Sequence, residues 1–178
     1  MLIQVWLMCL AIAVLSVDAR YSSTKEECLV KPVQSCELDV LYQDVNVDCD
    51  AVVPEKDRSR MTTAPSIYAN VLPTSTPVLL IMFDPDAPVS ETNGFAHWIA
   101  EGHISESSML VVETEYLEYF PPTPPAGSGP HRYQIFLFEK AESVMVNGRG
   151  MDLCDFVKST FGATIQPLVS FQFKFEVQ

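Results

Sequence analysis

The sequence predicts a mainly β chain, an antiparallel β-sandwich with one or two small peripheral helices, and three observations lead there. Residues 77–83 (P-V-L-L-I-M-F) are a continuous apolar run ended by Asp84-Pro85-Asp86, the pattern of a strand buried on both faces and stopped by turn residues. Residues 170–177 alternate, with Phe171, Phe173, Phe175 and Val177 on one face and Ser170, Gln172, Lys174 and Glu176 on the other. Short strand-like segments outnumber helical ones, and turn-forming residues separate them.

Composition bounds what such a chain does. It has 178 residues, 48% of them hydrophobic, so it can bury a core, and the length suits one domain. A net charge of -12, from 11 Lys+Arg against 23 Asp+Glu, argues against nucleic-acid binding and against a polybasic membrane surface.

In chain order, residues 1–19 read as a secretory signal peptide. Residues 2–17 are apolar except for Gln4 and Ser16 and end in Val17-Asp18-Ala19, a small-x-small cleavage pattern, although the amino terminus alone supplies positive charge there. No later run of 18 apolar residues exists, so the mature chain, residues 20–178, is expected to be secreted, extracellular and without an integral membrane segment. Export makes Cys28, Cys36, Cys49 and Cys154 disulfide candidates, with three pairings open. If all four pair, one bridge ties the N-terminal segment to the C-terminal region. Residues 54–60 are polar and read as a loop, residues 95–100 and 109–112 as strands.

The proline-rich segment 121–130 cannot pair inside a sheet and reads as a shaped loop. Residues 131–138 (H-R-Y-Q-I-F-L-F) then enter a strand, with Tyr133, Ile135 and Leu137 sharing a face opposite Arg132 and Gln134. One helix is predicted where Leu153, Phe156, Val157 and Phe161 recur at helical spacing, with Asp152 as its N-cap and Gly162 ending it. Cys154 lies on that helix and looks structural.

Two loops place acidic and imidazole groups at strand ends. Asp84-Pro85-Asp86-Ala87-Pro88 holds two carboxylates between prolines, a pattern that by itself also describes a rigid turn capping backbone N–H groups. Gly127-Ser128-Gly129-Pro130-His131-Arg132-Tyr133 lets the backbone approach closely before His131 and Tyr133 enter one strand face. Arg132 points the other way and reads as structural, with Asp86 a candidate ion-pair partner. His97 sits at the strand entry beside Phe95.

Between Met61 and His131 there is no Lys or Arg, so an anion held here must rely on imidazolium donors from His97 and His131, the Tyr133 hydroxyl and backbone N–H groups around Gly127 and Gly129. A nearby carboxylate favours the charged imidazole. Weak binding, stronger at mildly acidic pH, is the expected behaviour.

Together, D-P-D-A-P at 84–88, His97-Trp98, and P-P-x-G-x-G-x-H-R-Y at 124–133 resemble the phosphatidylethanolamine-binding protein family, the family of the Raf kinase inhibitor protein. The likeness runs in looser form from about Leu38 to the C-terminal strand, and the signal peptide and cysteines make the chain look like a secreted member. The resemblance implies one such domain over residues 20–178, a β-sandwich with a small anion-binding pocket at one end. The pocket would be lined by Asp84, Asp86, His97, His131 and Tyr133, with Phe95 as an aromatic wall and the 124–129 loop, including Gly127 and Gly129, as rim. The chain departs from the pattern in having Val89-Ser90 where Ser-Arg is usual, Glu101-Gly102 where an Asn is common, and Thr123 in place of a rim glycine.

The expected function is therefore that of a secreted, non-enzymatic binding protein for phosphate-type head groups, phosphatidylethanolamine-like or otherwise phosphorylated, that modulates signalling or a partner protein. The alternative implied by the family is a secreted inhibitor of a serine protease or carboxypeptidase. No catalytic residue, metal or cofactor is expected. No G-x-S-x-G elbow occurs, and prolines flanking Asp84 and Asp86 disfavour a chelating loop.

Overall fold

A computed structural model describes residues 36–87, 94–163 and 165–177; the predicted signal peptide and Cys28 lie outside them. The chain is mainly β. Its strands are β1 (Asp39–Tyr42), β2 (Val45–Val47), β3 (Val52–Val53), β4 (Ser66–Tyr68), β5 (Pro77–Asp84), β6 (Phe95–Ile104), β7 (Leu110–Leu117), β8 (His131–Glu139) and β9 (Val169–Phe175). A 3-10 helix spans Glu55–Thr62, and helix α1 spans Leu153–Phe161. Residues 54–60, expected as a loop, thus wind into that helix, anchored by the buried Met61, a residue just beyond the polar run.

Strands β2-β1-β4 form a three-stranded sheet, and β3-β9-β8-β5-β6-β7 a six-stranded one. Every pairing is antiparallel except β3 with β9, so the larger sheet is mixed rather than wholly antiparallel. The predicted strands stand, with β6 and β7 running several residues further than the apolar patterns at 95–100 and 109–112 indicated. The extensions reach into residues such as Glu101 and Glu113, whose charge hides strand pattern.

The apolar run in β5 is buried on both faces for a visible reason. Val78, Leu80 and Met82 join a core that also holds Val40 and Ile67 of the smaller sheet and Tyr133, Ile135, Phe171, Phe173 and Phe175 of the larger. Leu79, Ile81 and Phe83 point the other way, into a second core with Phe136, Phe138 and the Leu153, Phe156 and Val157 face of α1. Helix α1 begins as predicted: the Asp152 carboxylate accepts from the Cys154 and Asp155 amides, at 2.9 and 3.2 Å, satisfying two of the orphan donors of a helix start. Gly162 closes it in the left-handed conformation.

Cys36 and Cys49 are joined by a disulfide, their Cα atoms 5.9 Å apart. Cys154 is disulfide-bonded as well.

Candidate functional site

The ends of β5, β6 and β8 and the proline-rich loop enclose a cavity of about 360 Å3, at the lower end of the range for small-molecule sites. Its lining includes Asp84, Phe95, His97, His131 and Tyr133, five of the residues expected from the sequence, joined by Ala87, Phe120, Thr123, Pro124 and Pro125. Three expected residues do not line it: Asp86, Gly127 and Gly129.

Asp84 ends β5 with its carboxylate almost fully buried. Its Oδ2 accepts from His131 Nδ1 at 2.8 Å, and its Oδ1 accepts the Asp86 amide at 2.8 Å. Burial pushes the Asp84 carboxyl above its usual range, and the bonds from His131 and Asp86 offset part of that. On the other side of the imidazole, His131 Nε2 lies 3.0 Å from Ser128 Oγ, whose hydroxyl donates to the Pro125 carbonyl at 2.8 Å. Strand β8 presents His131 and Tyr133 on one face, as the alternation predicted. Tyr133 stacks on Phe173, its register partner on β9, with ring centroids 5.3 Å apart.

The Tyr133 hydroxyl is buried beside the Thr123 backbone, and among the described residues its hydrogen finds no acceptor. Burial first, and then the Asp84 charge, push its pKa far up, so it is a neutral O–H donor at any physiological pH. A buried hydroxyl left unpaired costs about 1–3 kcal/mol, a cost that a ligand accepting its hydrogen would relieve.

His97 departs from expectation. The β5–β6 ladder pairs Met82 with Trp98 but Phe83 with Ala96, so His97 is the extra residue of a bulge, a device that re-aims a side chain. Its Nδ1–H donates to the Phe120 carbonyl at 2.8 Å, and its ring packs edge-on against Phe95 and Tyr133. Desolvation pulls its pKa down to about 4 despite the carbonyl bond. His97 is therefore neutral near pH 7, and the expected imidazolium donor at this position is corrected to an uncharged ring tied to the wall.

Asp86 is likewise committed elsewhere. It accepts the Arg132 amide and Nε at 2.9 Å each through Oδ2, and Arg132 Nη2 at 2.8 Å through Oδ1, a bidentate fork. Burial raises its pKa, but the Arg132 bonds outweigh it and hold the carboxyl below its usual value. The ion pair expected for Arg132 is thus present, and it turns both members away from the cavity. Two amides of the rim loop are committed within the fold: the Gly127 N–H donates to the Val177 carbonyl and the Ser128 N–H to the Pro125 carbonyl, both at 3.1 Å.

Sequence reasoning missed Phe120, Ser128 and Arg149. Arg149 donates Nη1 to the Ala96 and His97 carbonyls at 3.2 Å and Nη2 to the Glu118 carbonyl at 2.8 Å, while its guanidinium lies 5.4 Å from the Phe120 ring centre. It braces the wall made by Phe120 and His97. An aromatic residue directly ahead of the proline run was the available signal for Phe120; nothing local marks Arg149, which lies 52 residues from His97. Gly94 makes the close packing of this end workable, because a Cβ there would strike the Phe83 ring and the Asp84 carbonyl.

The site thus combines a buried carboxylate–imidazole pair, one unpaired hydroxyl and aromatic walls, the make-up of a small polar-group binding pocket in a mainly β protein. The profile described as phosphatidylethanolamine-binding protein matches residues 47–168. With that match spanning more than half of its length, the chain belongs to the phosphatidylethanolamine-binding protein family.

Solved structures agree on the fold. A carboxypeptidase Y inhibitor, solved in complex with its cognate proteinase, superposes with a TM-score of 0.61 at 21% identity over 79% of this chain and 83% of that one. A phosphatidylethanolamine-binding protein from Plasmodium vivax gives 0.61 at 16% identity over 79% and 85%. Another from Plasmodium falciparum gives 0.54 at 16% identity over 83% and 90%.

Proposed function

We propose that the protein is a secreted binding protein whose cavity, at one end of a β-sandwich, takes a small phosphate-bearing head group of the phosphoethanolamine kind and so modulates a partner protein. The observation that carries this reading is the unpaired, buried Tyr133 hydroxyl in a cavity shared with the Asp84–His131 pair. A phosphate oxygen accepts the Tyr133 hydrogen, with the His131 ring, held by Asp84, beside it in the same cavity. A field of -12 does not forbid this, because a single buried phosphate is governed by local donors rather than by the long-range potential.

Binding a phosphate beside Asp84 is easier once that carboxyl is protonated. Because its pKa is raised, affinity increases as pH falls toward that raised value. Calorimetric titration of the purified chain with phosphoethanolamine between pH 7.5 and 5 tests the reading. One site that tightens on acidification in wild type, and does so less in Asp84→Asn, is the expected result. No binding at either pH overturns it. The likeness to a carboxypeptidase Y inhibitor favours protease inhibition as a second reading, checked by a panel of serine proteases and carboxypeptidases.

A further inference from the structure

We propose that Ser128, His131 and Asp84 form a nucleophile–base–orienter relay that hydrolyses small carboxylic esters at the mouth of the cavity. Ser128 Oγ lies 3.0 Å from His131 Nε2, and His131 Nδ1 lies 2.8 Å from Asp84 Oδ2. Both distances fall in the range of an activated nucleophile whose base is oriented by a third group. Such relays are recognised by geometry and roles and occur in several chain orders, so the lack of a G-x-S-x-G elbow does not exclude this one.

The burial gradient suits the chemistry. Asp84 and His131 are 2% and 3% exposed, which fixes the imidazole and keeps water from its carboxylate partner, while Ser128 is exposed. Gly127 and Gly129 flank it with φ of 75° and 81°, and among the described residues no atom beyond their chain neighbours lies within 4 Å of where a side chain would begin on either. Ser128 thus stands on an exposed loop whose flanking positions carry no side chain. The Ser128 hydroxyl now donates to the Pro125 carbonyl at 2.8 Å, and rotation about its C–O bond brings the proton to Nε2.

In the reaction, Ser128 Oγ forms a bond to the ester carbonyl carbon as its proton passes to His131 Nε2, and Asp84 balances the imidazolium. The carbon–oxygen bond to the leaving alcohol then breaks, and His131 returns the proton to that alkoxide. Water attacks the acyl-serine next, passing its proton through Nε2 to Ser128 Oγ and releasing the carboxylic acid. Tyr133 lines the cavity together with His131 and Asp84, and its neutral hydroxyl is the donor we assign to the transient oxyanion. Walls of Phe95, Phe120, Pro124 and Pro125, with the neutral ring of His97, suit a short uncharged acyl or aryl ester.

This activity uses the cavity of the preceding reading but not its ligand chemistry. A fluorophosphonate probe, which forms a stable adduct with activated serines, tests it on the purified full chain at pH 7.5. Intact-mass and peptide analysis are expected to show one adduct, on Ser128, absent in Ser128→Ala and formed at least tenfold more slowly in Asp84→Asn and His131→Gln. Absence of an adduct on Ser128, or labelling of Asp84→Asn and His131→Gln at the wild-type rate, overturns the proposal. Ser128→Ala changes only an exposed loop side chain and carries the comparison if the two buried variants fail to fold. Phosphoethanolamine titration of the same samples separates the two readings: wild type that binds it but is not labelled refutes the relay alone, and wild type that is labelled but does not bind refutes head-group binding alone.

Discussion

Replacing His97 by Gln isolates the cost of keeping an imidazole neutral in the pocket wall. Burial lowers its pKa from 6.5 to about 4, and the side chain is 3% exposed, so solvent screens little of the effect. The unfolded chain takes up a proton at this residue from pH 6.5 downward, whereas the folded chain resists until about pH 4. Stability is fully present above the unfolded value and declines as pH falls, by about 1.4 kcal/mol per unit within the window. From pH 6.5 to 5 the loss amounts to about 2 kcal/mol, and the whole window to about 3 kcal/mol.

Gln at this position can still donate to the Phe120 carbonyl but does not titrate. Urea unfolding of wild type and His97→Gln at pH 6.5, 6, 5.5 and 5 gives the comparison, the difference between the two proteins isolating residue 97. The variant should lose about 2 kcal/mol less than wild type across that range. Parallel pH profiles would refute the reasoning and show that His97 titrates normally in the fold.

Three further outcomes follow from the geometry. Tyr133→Phe removes the buried, unpaired hydroxyl, so it should raise stability by about 1 kcal/mol while weakening phosphoethanolamine about tenfold or more; denaturant unfolding and calorimetry check the two halves. Arg132→Ala breaks the fork on Asp86, but both side chains are partly solvated, so the cost should stay near 1 kcal/mol in denaturant unfolding, and a loss above 3 kcal/mol would contradict that. Cys36 is bonded to Cys49 and Cys154 is oxidised, so if secretion removes Cys9 with the predicted signal peptide, peptide mapping without reduction should recover a Cys28–Cys154 linked pair.

What the sequence showed best were features set by local periodicity. The double-sided burial of β5 followed from seven consecutive apolar residues, and the Asp152 cap and the apolar face of α1 followed from helical spacing. The short strands of the smaller sheet carried no comparable pattern, since three or four residues cannot establish a period.

At the site, residue types were legible but charge states and assignments were not. Asp84 and His131 meet across 47 positions, and which of two aspartates takes the histidine and which the arginine depends on the turn between them. The bulge that turns His97 into the wall is a property of the β5–β6 register. The neutrality of His97 depends on burial against Phe95, Phe120 and Tyr133, which only the folded packing supplies.

The central claim, that this cavity holds a small phosphate-bearing group through Tyr133 and the Asp84–His131 pair, is tested most directly by NMR titration of the folded chain with phosphoethanolamine at pH 5.5. The account predicts saturable shifts concentrated on Asp84, Phe95, His131 and Tyr133, and their loss in His131→Gln with the remaining spectrum intact. Shifts scattered over the surface, or unchanged binding in that variant, would contradict it.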